Sequence, residues 1–508
     1  MRVAIGSLKW GWEAYLVDQQ QTPILQALLA RVKAGQAPFY TPGHKQGQGR
    51  PPALQRVWGT GVWQTDLSEL PGLDHLFAPQ ASIQQAQELA AAAFGAEQTW
   101  FLVNGSTCGV MAAILATCGP GDRIILPRNA HQSAIAGLVM SGAIPIWVEP
   151  EFEAGLAYSL NPADVQLALQ RYPQVKAILL VSPTYEGVCT DVAAIANLAH
   201  QHQIPLLVDE AHGPHFAFHP DLPPSALSAG ADLAVQSTHK VLSALTQAAM
   251  LHVQGNRIER SRLSQSLRLL QSSSPSYLLL ASLDATRQQM ATEGKTLLSQ
   301  TLQLAAQARA AIQQIPGLSV LEATGLSALA KPPQRKIDPT RLTVNVTGLG
   351  LTGFAADEIL DQELGITAEL PSLSHLTFIL SLGNTAADIQ RLIAGCQTLA
   401  VKYALPTQSL PVVQPRQPKI SVPAIAPRAA WYAPTETVAI ANASHRLSAE
   451  LICPYPPGIP VLLPGEIVTP EALAILEQVL QQGGILTGCD DSHLKTLKVI
   501  KLMRSKLC

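Results

Sequence analysis

Lys240 stands in the segment VQSTHKVLSALTQAA, residues 235–249, where an apolar run ends in two hydroxyls, an imidazole and an amine. An amine at the end of a buried strand loses hydration, which lowers its pKa and frees it to attack an aldehyde. Ser237 and His239 beside it can donate to a phosphate. Thirty-one residues upstream, the apolar run IPLLVDEAHG ends in Asp209. A carboxylate there needs a cationic partner, because an unpaired buried charge is costly. The ring nitrogen of pyridoxal phosphate (PLP) is such a partner, and PLP enzymes pair an Asp with that nitrogen and a Lys with the aldehyde. Further upstream, VNGSTCG places Ser106 and Thr107 where a strand turns into a helix, so their hydroxyls and the free N–H groups of the helix start suit a phosphate. PRNAHQS supplies His131, whose flat ring can lie on a cofactor. Singly these residues read as a surface lysine, a helix cap or a structural histidine; four such features at consecutive strand ends make a constellation.

The elements that must position them follow from the hydrophobic pattern. TWFLVNGS, RIILPRN, AIPIWVEP, KAILLVSP, IPLLVDEAH and ADLAVQSTHK are short β-rich runs, most separated by helical stretches such as TCGVMAAILATC and DVAAIANLAHQHQ. Strand–helix alternation over about 170 residues implies a mainly parallel sheet covered on both faces, with ligands at the carboxyl ends of its strands. SIQQAQELAAAAFGA reads as a helix capped by Ser82 and stopped at Gly95. Gln21–Gly35 has helical spacing, and residues 1 to about 20 read as a loose tail. A long helical region at 282–314 leads to a second unit with strands LTVNVTG and HLTFILSLG. Six prolines between Pro406 and Pro427 mark a linker or strap, and a third unit follows with a helix-like VAIANASHRLSAELI. The expected division is an arm and loop at 1–75, a cofactor-binding major domain at 76–314, a small α/β domain at 315–405, the linker at 406–427 and a C-terminal domain at 428–508.

Composition narrows the classes. With 47% hydrophobic and 14% charged residues in 508, the chain has ample core material for several domains. A net charge of −2 gives no electrostatic reason to expect nucleic acid or an anionic membrane. Seven scattered cysteines without a CxxC pair read as reduced thiols, and the N-terminus lacks a continuous apolar core for export, so a cytoplasmic location is expected. Residues 209–212 spell DEAH, but the only GKT lies downstream at Gly294–Thr296 and lacks the first glycine of a phosphate loop, which argues against a helicase. His212, His215 and His219 lack the order of a helical zinc motif, so no metal is expected.

With these segments in view, the chain resembles the ornithine/lysine/arginine decarboxylase family of fold-type I PLP enzymes, above all its short bacterial members. TPGHKQG, NGSTCG, PRNAHQS, SPTYEGV, DEAHGPH, STHK and PYPPGIPVLLPGE look like family motifs in family order, from Gln21 to Glu466. The resemblance implies an aminotransferase-like α/β major domain, a small α/β domain and a C-terminal α+β domain. It implies that Lys240 carries PLP, that Asp209 keeps the ring nitrogen protonated, that His131 stacks on the ring and that His212 sits beside it. Ser106, Thr107, Ser237 and His239 would hold the phosphate, Ser272 would reach a neighbouring subunit's phosphate, and Glu466 would lie near the substrate's distal amine. The implied reaction is decarboxylation of arginine, lysine or ornithine to agmatine, cadaverine or putrescine, with Lys240 or His239 returning a proton to Cα. Only 40 residues precede Thr41, so the N-terminal wing of larger members is expected to be absent and a homodimer or higher homo-oligomer to form. Two alternatives stay open: another fold-type I reaction such as transamination, for which Arg335, Arg341 and Arg391 are candidate carboxylate binders, and a non-catalytic amine-binding homologue.

Overall fold

Seven apolar runs of the first half become the strands of one sheet: β1 (Gln98–Leu102), β2 (Arg123–Pro127), β3 (Ile144–Val148), β4 (Val175–Val181), β5 (Leu206–Asp209), β6 (Leu233–Gln236) and β7 (Ala249–Val253). A computed structural model supplies the coordinates and describes residues 18–153, 156–158, 160–322, 336–403, 420–455 and 459–501. The sheet order is β1-β7-β6-β5-β4-β2-β3, with β2, β3, β4, β5 and β6 mutually parallel and β7 antiparallel to both β6 and β1. Every residue of β5, β6 and β7 is buried, as near-continuous apolar runs require in a sheet with helices on both faces. Alternation sorts the side chains: Ile124, Leu179, Leu207 and Val235 join one core, whereas Ile125, Ile178, Val208 and Ala234 join another. Helices Gly105–Thr117, Gln132–Ser141 and Arg260–Leu270 contribute to the first core, Pro162–Arg171 and Val192–Gln201 to the second.

The 37-residue helix Tyr277–Gln313, about 55 Å long at 1.5 Å per residue, ties the major domain to the small one. Its Leu280, Leu283 and Met290 pack with helices Pro23–Lys33 and Ser82–Phe94, and its Ala305, Ala308 and Ile312 join a separate core around strands β8 (Arg341–Asn345) and β9 (His375–Ile379). Those two form an antiparallel sheet with Ser319–Val320 and Leu370–Pro371 at its edges. Gly294–Thr296, the GKT of the sequence, lies inside the long helix, where no phosphate loop can form.

The tail at residues 1–17 and Pro406, Pro411, Pro415 and Pro418 of the linker lie outside the described residues. The linker's end, Ile420–Ser421 (β10), pairs with β3 and covers that edge of the large sheet.

Two local expectations are corrected. Ser82 is the first helical residue rather than the cap, and its hydroxyl has no partner among the described residues. The helix start is capped from further away by buried Asp74, whose carboxylate accepts from the N–H groups of Gln80, Ala81, Ile83 and Gln84. The segment 438–452, helix-like by spacing, is mostly irregular. It begins in the strand Thr435–Ala439 and a single 3₁₀ turn, Ile440–Asn442. Thr435–Ala439 is drawn into pairing with Thr496–Ile500, about sixty residues away, and long-range pairing overrides a weak local preference.

Asp74 yields a stability prediction. Burial raises its pKa, but the N–H bonds outweigh that and hold it below the usual carboxylate value. Its contribution is therefore present above the unfolded-state pKa and lost as pH falls through the lowered folded value. Asp74→Ala should cost about 2 kcal/mol at neutral pH in denaturant unfolding. The gap between wild type and Asp74→Asn should narrow in strong acid, where the wild-type carboxyl is also neutral.

Candidate active site

The parallel strands deliver their carboxyl ends to one edge of the sheet, and the polar residues flagged in the sequence collect there. β5 and β6 are neighbours with Asp209 opposite Val235, so the chain leaving β6 places Ser237 and the one-turn helix Thr238–Val241 beside Asp209. Beyond β1, Asn104 precedes the helix Gly105–Thr117, and Gly105 takes φ +74, a left-handed turn that suits glycine. The Ser237 hydroxyl donates to Ser106 Oγ at 2.7 Å, joining this helix start to the end of β6. Thr107 is exposed on the first turn, and buried Thr238 Oγ1 has no partner among the described residues. Side chains brace the turn: Gln271 Oε1 accepts from Val103 N and Gln247 Nε2 donates to Val103 O. Ser272 N donates to Asn104 Oδ1 at 3.2 Å, which puts Ser272 at the same helix start, with its own hydroxyl accepting from Ser274 N.

At the centre, Lys240 Nζ lies 2.9 Å from His212 Nε2 and 5.5 Å from the centroid of the Tyr185 ring. Burial lowers the Lys240 pKa, against the pull of Asp209 and Glu369. Asp209 is buried and, among the described residues, accepts one hydrogen bond, from Ala211 N at 3.1 Å. Burial raises its carboxyl, and His131 and Lys240 draw it back. Both directions have one cause: desolvation outweighs the attraction of the neighbouring charges. His131 caps the helix Gln132–Ser141, its Nδ1 accepting from Ser133 N, and burial holds its ring towards the neutral form. His239 Nδ1 is 2.9 Å from the Ala248 carbonyl and so donates to it, which directs Nε2 elsewhere. His212 is held well below the imidazole range by burial and by Lys240 and Arg341.

Glu466 has a different setting. Its carboxylate takes Arg128 Nη2 at 2.8 Å, beside half-buried Glu149, and desolvation lifts both carboxyls, Glu149 to about 7. Of the three arginines singled out in the small domain, Arg335 lies outside the described residues and Arg391 donates to the Leu364 carbonyl. Arg341, fully buried, reaches His212. The other two histidines of the DEAHGPH region point apart, His215 to Asp338 and His219 to Ser299. Tyr185, to which sequence reasoning gave no role, neighbours Lys240 and His212, and Arg341, weighed in the sequence only as a carboxylate binder, contacts His212 instead. SPTYEGV marked the tyrosine's segment, but nothing local signals a contact between Arg341 and His212, which are 129 residues apart. Chemically, the edge offers an amine biased towards its nucleophilic form, a carboxylate without a full cationic partner, and a helix start with hydroxyls for an anion.

Comparison with known proteins agrees with this geometry. Residues 22–388 match the model of the Orn/Lys/Arg decarboxylase major domain, and 412–483 that of the C-terminal domain of the same enzymes. An arginine decarboxylase of Bacillus anthracis is 39% identical over 489 residues, 96% of this chain and 99% of that protein. One from Bacillus subtilis is 39% identical over 487 residues, 96% and 99% of the two chains. The solved constitutive lysine decarboxylase of E. coli superposes with a TM-score of 0.80 at 22% identity, covering 96% of this chain and 83% of that one, a likeness of fold. Among the described residues no helix is long and apolar enough to cross a membrane.

Gly187 offers a test of how the small domain meets this edge. It takes φ +92, and an added Cβ would come within 2.6 Å of Arg341 Cβ. Gly187→Ala should lower stability by about 1–3 kcal/mol and disturb the Arg341 contact. Thermal unfolding should show the loss, with Gly230→Ala as the comparison: its φ is +98, but its new Cβ would come no closer than 3.3 Å, to Ala196 Cβ.

Proposed function

This chain belongs to the Orn/Lys/Arg decarboxylase family of PLP-dependent enzymes, and from that membership we propose that it decarboxylates L-arginine to agmatine. Decarboxylation of a basic amino acid is the family's reaction; the choice of arginine rests on relatives of that name at 39% identity over nearly the whole chain. The observation that carries the chemistry is the placement of Asp209 and Lys240 on adjacent strand ends, each shifted by burial towards its neutral form.

The residues fit PLP at three points. Asp209, with one backbone hydrogen bond, has lone pairs for a protonated ring nitrogen. Ser106, Thr107, Ser237 and the first N–H groups of the helix Gly105–Thr117 suit the phosphate, with His239 adding a donor when protonated. Lys240 Nζ is the amine for the aldehyde. When bound, PLP supplies an aldehyde that captures the substrate's amine and a ring that accepts the electron pair of the breaking Cα–carboxylate bond. Asp209 would keep a proton on the ring nitrogen, and a buried carboxylate does this more strongly than an exposed one. His131, at the start of the helix Gln132–Ser141, would lie against the ring and limit water there. Lys240, with its lowered pKa, and His239 are the groups able to hold the proton returned to Cα. The half-buried carboxyls Glu149 and Glu466, both beside Arg128, form an acidic locus to which we assign recognition of the substrate's distal cation through Glu466. Ser272 lies beside the phosphate-binding helix start, and nearby Leu269 is 79% exposed, a setting suited to a second copy of the chain; we read the enzyme as at least a homodimer.

Carbon dioxide release from arginine, lysine and ornithine, assayed in parallel with PLP supplied and products identified, tests this reading. Arginine should be turned over fastest, with agmatine as product; exclusive release from lysine or ornithine would overturn the substrate, and keto-acid product the reaction. Lys240→Ala should abolish turnover. Asp209→Ala should weaken cofactor retention and cut the rate at least a hundredfold, and a near-normal rate would remove Asp209 from the mechanism.

A further inference from the structure

Arg341 originates on β8 of the small domain but ends inside the major domain, 1% exposed, against the loop that follows β5. Its Nη2 donates to the His212 carbonyl at 3.2 Å and lies 3.1 Å from His212 Nδ1. Nε and Nη1 make no hydrogen bond among the described residues, and the nearest carboxylate, Asp338 Oδ2, is 4.0 Å from Nη1. The side chain's hydrogen bonds are therefore spent on His212 alone. Its path is shaped for this: Gly187 leaves the space that Arg341 Cβ and Cγ fill, and Asp338 N donates to the Gly187 carbonyl, stitching the two domains together.

A guanidinium has only donors, so the ring nitrogen facing it must accept. A neutral His212 then carries its proton on Nε2. That atom is 2.9 Å from Lys240 Nζ, and two donors cannot satisfy one another, so the amine must offer its lone pair. We propose that Arg341 is a positioning residue: by donating to His212 Nδ1 it fixes the ring proton on Nε2, and the Nε2–H holds Lys240 as the neutral amine ready to capture the cofactor's aldehyde. This rests on the assignment of Lys240 as the cofactor lysine. The groups facing Lys240 are Asp209 from the end of β5, His131 from the helix after β2, His239 from its own helical turn, the Tyr185 ring from the loop after β4, and Glu369 and Arg341 from the small domain. Asp209 and Glu369 favour the ammonium form, and the Arg341–His212 relay opposes them. The buried imidazole, flanked by Lys240 and Arg341, is itself kept from protonating.

The test is the rate at which apoenzyme captures added PLP, followed by the change in the cofactor's visible absorption between pH 6 and 10. In Arg341→Met the pH midpoint of capture should rise by about one unit, a tenfold loss of rate at a fixed pH below it. Arg341→Lys, which restores a donor, should recover part of the shift and is the variant to read if the methionine protein does not fold. Affinity for pyridoxine 5′-phosphate, which has no aldehyde, should stay within about threefold of wild type in both variants. In a His212→Gln background, Arg341→Met should cause no further shift. An unchanged midpoint in Arg341→Met, an equal loss of affinity for the unreactive analogue, or an additive shift in the double variant would overturn the proposal. Were Lys240 not the cofactor lysine, Lys240→Ala would still capture PLP as wild type does, a failure separate from any of these.

Discussion

Withholding water from one carboxylate and one amine at the ends of adjacent parallel strands is the constraint on which the rest of this structure depends. Asp209 and Lys240 are opposite charges, yet burial shifts each towards its neutral form. In water the same pair would be ordinary ions, with neither a nucleophile at neutral pH nor a carboxylate seeking a cation. The sheet creates the deficit by burying β5 and β6 completely, with apolar cores on both faces. A cationic ring nitrogen and an aldehyde would relieve it. On the proposed assignment, PLP would offset the cost of burying these two groups.

The second domain belongs to the same arrangement. The helix Tyr277–Gln313 runs from the major core to the small one, so β8 is carried to the edge where β5 ends. Arg341 is the part of β8 that crosses over. Its contact with His212 joins the small domain to the candidate edge, and the 2.6 Å that a Cβ on Gly187 would leave to Arg341 Cβ shows how closely the two are packed.

Much of this was legible in the sequence. The β-strands announce themselves by apolar runs, the helices by spacing and a terminal glycine such as Gly95, and the candidate site by polar residues at successive strand ends. What was not legible depends on distant partners. Asp74, rather than Ser82, caps its helix because a loop folds back over the helix start. The stretch after Thr435 forms a strand because Thr496–Ile500 is there to pair with it. Glu466 meets Arg128 across 338 residues, and Arg341 meets His212 across 129, distances over which no periodicity carries information. The family motifs singled out residues that the fold gathers at one edge of the sheet, but not these contacts.

The central claim is that Lys240 is the amine on which the cofactor is carried. Borohydride reduction of the PLP-loaded protein, followed by proteolysis and mass mapping, reads this directly. The account predicts a phosphopyridoxyl group on the peptide containing Lys240 and on no other. The same group on a different lysine, or none after loading, would contradict it.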